Sequence, residues 1–352
     1  MACNSVPEPA TGLKAAINYN SFMGFSVIGN LTLRNFISPS SRTMVSLNIG
    51  QNFRALTEHL QLFGYRKPWS NRTQFYAEHQ NFPFYENFKQ QGNFKIKYYR
   101  FDNQFLNSSH RRWSGGLGAK WEYVDINPTI QVGDYFEGKS RFFTLYTVLN
   151  YNSFEKPFFP VKGNKIDFQA GYVLGLRPEL DIFQNNNFIG NIDDLGISYG
   201  NYFRIALEAK KVERFSNKLA GIFDFRTGMN MGPNQSMLNN FIVGGMTTTT
   251  RNQVLFTGLR EGKILTESAI SSQIGFRYNI LSDAYITLNA NAMYYDFIKK
   301  NNTTITPTWI AGTGVTLGYY LPIGPFEYTI MYGGNGAGWS TYLNFGFPFK
   351  SQ

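Results

Sequence analysis

The chain has 352 residues, with 33 Lys and Arg against 23 Asp and Glu for a formal net charge of +10, and 17% of its residues are aromatic. No apolar run approaches the roughly 18 residues of a membrane-spanning helix, which excludes helical spans but not a β-barrel, whose lipid-facing and lumen-facing residues alternate and average to near neutrality. The single cysteine, Cys3, excludes internal disulfides and multi-cysteine metal sites, and the scattered basic residues argue against nucleic acid as a partner.

The start, Met-Ala-Cys-Asn, has no basic and apolar stretch ahead of it, so residues 1–11 read as the N-terminal extension of a mature form or fragment. Ala2-Cys3 is also similar to a lipoprotein cleavage point, against the plainer reading of a ragged edge. From residue 12 to 349 the period-two alternation expected of half-exposed strands recurs, and 350–352 form a C-terminal tail. The predicted strands are 12–20, 25–35, 43–52, 54–63, 72–81, 92–101, 111–124, 140–152, 164–176, 198–213, 219–229, 264–280, 283–296, 308–321, 325–334 and 340–349. Those at 54–63 and 72–81 rest on spacing alone.

Elsewhere the two faces separate. Phe25, Val27, Leu31 and Leu33 oppose Ser26, Asn30, Thr32 and Arg34. Phe94, Ile96 and Tyr98 oppose Lys95, Lys97 and Tyr99, which predicts lysines in the lumen. Trp121, Phe168, Leu207, Leu288 and Leu317 are predicted to face lipid, whereas Lys165, Asp167, Arg204, Glu208, Asp224, Arg226, Glu267 and Arg277 are predicted to face the lumen. Such inward charges either fill a watery interior or simply satisfy one another. In the last predicted strand Thr341, Leu343, Phe345, Phe347 and Phe349 share one side, with Tyr342, Asn344 and Gly346 on the other. Long connections follow odd-numbered strands and tight turns follow several even-numbered ones, as when loops face outside and turns face the periplasm. The fold predicted is therefore all-β, a 16-stranded antiparallel transmembrane barrel.

No catalytic motif stands out. Gly24-Phe25-Ser26-Val27-Ile28-Gly29 misses the nucleophile-elbow spacing by one residue and lies in an alternating strand, so Ser26 reads as a lumen serine. His59, His79 and His110 have no metal-ligand spacing. The glycines of 333–338 precede no helix that would cradle phosphate and read as a loop tip. No catalytic residue, metal or cofactor is expected.

Two segments carry a family resemblance. One is Phe158-Phe159-Pro160-Val161-Lys162-Gly163, which opens the ninth strand. The other is the long loop 230–263, with Gly244-Gly245, four threonines, Arg251, and Thr257-Gly258-Leu259-Arg260. Together with the sixteen-strand count, they make 12–349 similar to the barrels of the Omp85 superfamily. In that family a Phe-Pro-x-x-Gly element, here Pro160 and Gly163, opens a mid-barrel strand, and a sixth extracellular loop folds into the lumen and presents an arginine. The usual Arg-Gly-Phe or Arg-Gly-Tyr is absent, so the resemblance leaves Arg260 and Arg251 as alternatives for that arginine, with Gly258 beside it. The resemblance also implies a carboxylate partner such as Glu208, Asp224 or Glu267 for Arg260. The openings of the first two strands look most like barrels that follow patatin-like phospholipase domains in Bacteroidetes proteins; the phospholipase itself is not in this sequence.

The function so implied is insertion or translocation of a polypeptide, or anchoring and export of a fused domain, in the outer membrane of a Gram-negative bacterium. Its expected partners are outer-membrane lipid and lipopolysaccharide and a client polypeptide or fused N-terminal domain. A weak seam between the first and last strands, loosened by Gly346 and Pro348, would be the means. The alternatives are a passive pore selecting anionic solutes through Lys95, Lys97, Arg204 and Arg226, and a membrane-embedded lipid hydrolase.

Overall fold

The computed structural model describes residues 11–86, 88–129, 135–191, 199–233, 237–298 and 306–349. The predicted N-terminal extension, apart from Thr11, and the C-terminal tail lie outside them. So do parts of the predicted connections 82–91, 125–139, 177–197, 230–263 and 297–307, and the start of the predicted strand 198–213.

Sixteen wall strands close the barrel among the described residues. They are β1 (Thr11–Asn20), β2 (Gly24–Arg34), β3 (Ser41–Gly50), β4 (Phe53–Phe63), β5 (Trp69–Glu86), β6 (Lys89–His110), β7 (Trp113–Pro128), β8 (Tyr135–Asn152) and β9 (Gly163–Gln184). After a short hairpin strand β10 (Asn187–Asn191), which pairs back on β9, come β11 (Tyr202–Arg214) and β12 (Leu219–Met231). The wall resumes at β16 (Ser268–Asn279), β17 (Ala284–Tyr295), β18 (Thr308–Leu321), β19 (Gly324–Gly333) and β20 (Gly338–Gly346). Between β12 and β16, the strands β13 (Phe241–Val243), β14 (Gln253–Val254) and β15 (Ile264–Thr266) form a separate small sheet.

Every neighbouring pair of wall strands is antiparallel, and β1 meets β20 to close the ring. The faces follow the pleat, since a strand exposes alternate side chains to opposite sides. Trp121, Leu288 and Leu317 are exposed on the outer face, with half-exposed Phe168 and Leu207 at the same parity, while Ser26, Arg204 and Asp224 are buried inside.

Three predictions are corrected. Lys95 and Lys97 point outward, and Phe94 and Tyr98 are buried on the inner face. The reason is length: β6 has 22 residues, about twice what a tilted strand needs to cross a bilayer, so its first part stands beyond the membrane. There Lys97 Nζ meets Asp125 in water at 3.6 Å, and Phe94 stacks on Phe136 with ring centroids 4.8 Å apart.

The wall strand predicted from residue 264 starts at Ser268, because Ile264–Thr266 pairs with Phe241–Val243 inside the loop. The last strand ends at Gly346, not residue 349. At φ +86° Gly346 turns the chain off the ladder, and a Cβ there would lie 1.9 Å from the Ile17 carbonyl oxygen. Phe349 is consequently buried among lumen side chains with Ile28 instead of facing lipid. Pro348 lies beyond the ladder and takes no part in the seam.

Candidate functional site: the seam and the plugged lumen

The seam is the shortest wall pairing. β1 and β20 share only Asn18↔Gly346, Tyr19↔Phe345 and Asn20↔Asn344, against ten residue pairs between β1 and β2 and eight between β19 and β20. Ser21 extends it slightly, its backbone N–H donating to Leu343 O at 2.9 Å. Thr11 to Ile17 thus present one edge with no ladder partner in β20, and an unpaired strand edge is a template for another strand.

The lumen is filled from the loop end by 237–267. Its small sheet builds a core of Phe241, Val243, Val254, Phe256, Leu259 and Ile264, packed on Ala269, Met293 and Ile310 of the inner wall. Gly244 and Gly245, at φ +120° and +84°, let the returning segment cross: a Cβ on Gly244 would lie 2.0 Å from Arg260 O. Gly245 N–H donates to Leu259 O at 2.8 Å.

One lobe of the loop rests on a glycine floor. A Cβ at Gly312 would lie 2.0 Å from Thr257 O, one at Gly314 2.7 Å from Thr257 Cγ2, and one at Gly333 2.5 Å from Gly258 O. Gly258 itself is at φ +109°, 2.6 Å from Tyr332 O by the same measure. The Asn291 amide donates to Thr257 O and accepts from Thr257 N–H, each at 2.9 Å. Thr257 Oγ1 donates to Gln273 Oε1 at 3.0 Å, so a neutral hydrogen bond stands immediately before the loop glycine, where the family signature would put arginine.

The other lobe carries the threonines to the opposite wall and the seam. Thr247 Oγ1 lies 2.5 Å from Tyr342 Oη and 3.2 Å from Asn20 Nδ2, while Asn20 Nδ2 also reaches Tyr342 Oη. Arg54 on β4 pairs with Glu78 at 2.7 Å and donates to Thr249 O.

Of the two candidate arginines, Arg251 is the one against the inner wall. Its guanidinium lies 5.1 Å over the Tyr98 ring and donates to Leu238 O, and Tyr98 Oη donates to buried Glu122 at 2.7 Å. Arg260 is exposed, which corrects the expectation of a buried ion pair. Its supposed partners are engaged elsewhere: Asp224 with Arg226 at 2.7 Å, and Glu208 with Lys165 at 3.4 Å and Arg226 at 3.5 Å. Glu267 accepts at its backbone carbonyl from Asn230 N–H at 2.8 Å. Next to Arg260, Glu261 is buried; desolvation in the loop, opposed by hydrogen bonds from its own amide and Tyr342, pushes its carboxyl up to about 7.

Arg204 also holds the loop, donating to Asn239 O with its guanidinium carbon 4.9 Å over the Phe241 ring. From the turn end, 153–162 folds inward. Arg277 Nη1 donates to Pro160 O at 2.8 Å, and Phe159 stacks on Tyr285 at 5.0 Å and covers Gly318, where a Cβ would meet its ring at 2.8 Å. Gly163 is required at the exit, at φ +120° with a Cβ 2.5 Å from Ser153 O. Both plugs therefore lean on the inner face of β18, enclosing between them a polar cavity of about 100 Å³. That space is well above the roughly 10–15 Å³ needed to admit a water molecule.

Sequence reasoning missed Tyr342, Asn20, Arg54, Glu122 and Gln273. The alternate glycines 312 and 314 were a readable sign of close backbone approach. Ser26 faces the lumen while His59 and His79 face outward and His110 is exposed at the end of β6, so Ser26 forms no couple with a histidine among the described residues. No group of three His, Cys, Asp or Glu is placed to hold a metal among them.

A closed barrel with a loop-plugged lumen and a short seam is an outer-membrane type of architecture. The model of the OMP85 superfamily matches residues 6–349, and the chain belongs to that superfamily. Its fold is similar to BamA from Haemophilus ducreyi lacking POTRA domains 1–3, with a TM-score of 0.70 at 12% identity over 96% of this chain and 70% of that one. CdiB from Acinetobacter baumannii gives 0.60 at 9% identity, over 96% of this chain and 60% of that one. CdiB from Escherichia coli gives 0.57 at 8%, over 97% and 63%. The chain thus spans less than two thirds of either CdiB chain. No curated protein matches the sequence.

Proposed function

We propose that this barrel sits in the outer membrane of a Gram-negative bacterium and handles polypeptide, inserting or translocating a client, or anchoring and exporting a domain joined to it, through the β1–β20 seam. The three-pair seam carries this reading. Separating it breaks few ladder bonds, and the edge from Thr11 to Ile17 offers donors and acceptors to an incoming strand by β-augmentation. Tyr342 and Asn20 link the threonine lobe to the same seam, so loop position and seam opening are coupled. The export-and-anchor form follows the resemblance to barrels joined to patatin-like domains. The chemistry is non-enzymatic in this reading, and obstruction of the lumen from both ends weighs against a passive pore.

A disulfide across Tyr19↔Phe345, made as Tyr19→Cys with Phe345→Cys in a Cys3→Ala background, tests it. With this chain as the sole copy in its host, oxidation should deplete other barrels or exported proteins from the outer membrane, and reductant should restore them. Unchanged levels with the seam locked would refute the reading.

A further inference from the structure

The turn ends of β4 to β7 carry an unusual outer surface. The β4–β5 turn, Gly64-Tyr65-Arg66-Lys67-Pro68, and the β6–β7 turn, Arg111-Arg112, lie side by side: Ser108 N–H donates to Pro68 O at 2.7 Å. Arg66, Lys67, Arg111 and Arg112 are all exposed, neither turn contains a carboxylate, and none of the four is ion-paired among the described residues. Arg66 and Lys67 stand at φ +64° and +53°. Left-handed backbone at two consecutive non-glycine residues is disfavoured, so the two charges occupy positions where glycine or asparagine would be less strained.

Above these cations the outer face is polar where lipid tails are expected. Thr43, His59, Thr73 and Asn103 lie opposite one another across β3 to β6, with Asn71 one step nearer the turns. Asn103 Nδ2 donates to Thr73 Oγ1 at 2.8 Å and to Asn71 Oδ1 at 3.1 Å, and Thr43 Oγ1 is 2.9 Å from His59 Nδ1. Aromatic pairs flank the patch: Trp69 stacks on Phe105 at 5.2 Å and Trp113 packs on Tyr151 at 4.4 Å. Interfacial aromatics mark headgroup level, and a lipid-facing band of amides and hydroxyls is stable only where headgroups and their water reach it.

From this juxtaposition we infer that the turn-end outer wall of β3 to β7 is a binding site for an anionic glycerophospholipid of the periplasmic leaflet. The phosphate meets the Arg66, Lys67, Arg111 and Arg112 cluster, and the glycerol region lies against Asn71, Asn103 and Thr73. Arginine and lysine without carboxylate neighbours complement phosphate charge, whereas a zwitterionic headgroup would bring a second cation into the cluster. The inference is independent of the seam and its function.

Tryptophan quenching tests it in the full chain. With Trp121, Trp309 and Trp339 changed to Phe, Trp69 and Trp113 report from the patch. In mixed vesicles, brominated phosphatidylglycerol should quench them with an association constant about fivefold or more above brominated phosphatidylcholine, the factor for one cation engaging an anionic surface. The preference should vanish when Arg66, Lys67, Arg111 and Arg112 are all changed to Gln, in barrels that keep their heat-dependent gel shift. If that variant does not fold, Arg111→Gln with Arg112→Gln should still lower the preference at least twofold. Equal quenching by the two lipids in the parent overturns the assignment, whether or not the patch captures an acidic polypeptide, and so does a preference that survives the substitutions.

Discussion

The hydroxyl oxygens of Tyr342 and Thr247 lie 2.5 Å apart, joining the closing strand to the tip of the plug. Tyr342 is 2% exposed and also bonds Asn20 of β1, so one phenol touches both sides of the seam and the loop. Tyr342→Phe should leave Asn20 and Thr247 short of a buried partner, at about 1–3 kcal/mol. Limited proteolysis of refolded barrel should then cut within 232–267 several-fold faster than in the parent. An unchanged rate would mean the loop is held elsewhere, at the glycine floor or at Arg54.

The glycine floor makes a separate prediction. Gly312→Val drives a side chain into the Thr257 carbonyl, which cannot retreat without losing the Asn291 and Gln273 hydrogen bonds. Overpacking of this kind typically costs about 1–3 kcal/mol. Hydrogen exchange should rise at 255–260 while the wall strands stay protected.

At Gly346 both the left-handed backbone and the approach to Ile17 O exclude a side chain. Gly346→Val should unpair the three-residue seam and lower the temperature of the heat-dependent gel shift, with little effect on the β18–β19 pairing. A variant with the parent's transition would show that the seam does not limit barrel stability.

Glu261 sets a pH dependence in the loop. Its carboxyl is raised from the ordinary 4.5 to about 7 because the charged form is desolvated, so the folded loop binds a proton more tightly than the unfolded one. The stabilisation is complete below about 4.5, declines above it and is lost as pH rises through about 7. Proteolysis within 232–267 should therefore accelerate between pH 5 and pH 8, a window set by that shift, and Glu261→Gln should flatten the profile.

On the outer wall, Leu288 is 53% exposed at the centre of β17. Leu288→Arg should destabilise the barrel by about 2–4 kcal/mol if the position is near the bilayer midplane. A spin label there should report lipid; water would contradict the predicted facing.

The wall was legible because alternation is a local property: Phe203, Ile205 and Leu207 against Arg204 and Glu208 could be read within one strand. Strand number followed from that pattern and from turn spacing. The lumen was less legible because its partners are distant in sequence, as with Arg54 and Thr249 or Tyr342 and Thr247. Arg251 and Arg260 could not be separated, since which of them meets the wall depends on how the loop crosses at Gly244 and Gly245. Lys95 and Lys97 were misplaced for another reason. Beyond the bilayer the outer face is wet, so polarity no longer distinguishes inside from outside. Phe347 and Phe349 continue the alternation in sequence, but the positive φ of Gly346 ends the strand before them.

The two obstructions leaning on β18 act in series. The 237–267 loop rests over Gly312 and Gly314 at Thr257, and the 153–162 turn rests over Gly318. A solute passing along the inner face of β18 would have to displace both, and two independent excursions that are each rare multiply into an event far rarer than either. Shortening the loop alone should accordingly leave ionic current low, with Phe159 still lying across Gly318 on the same strand.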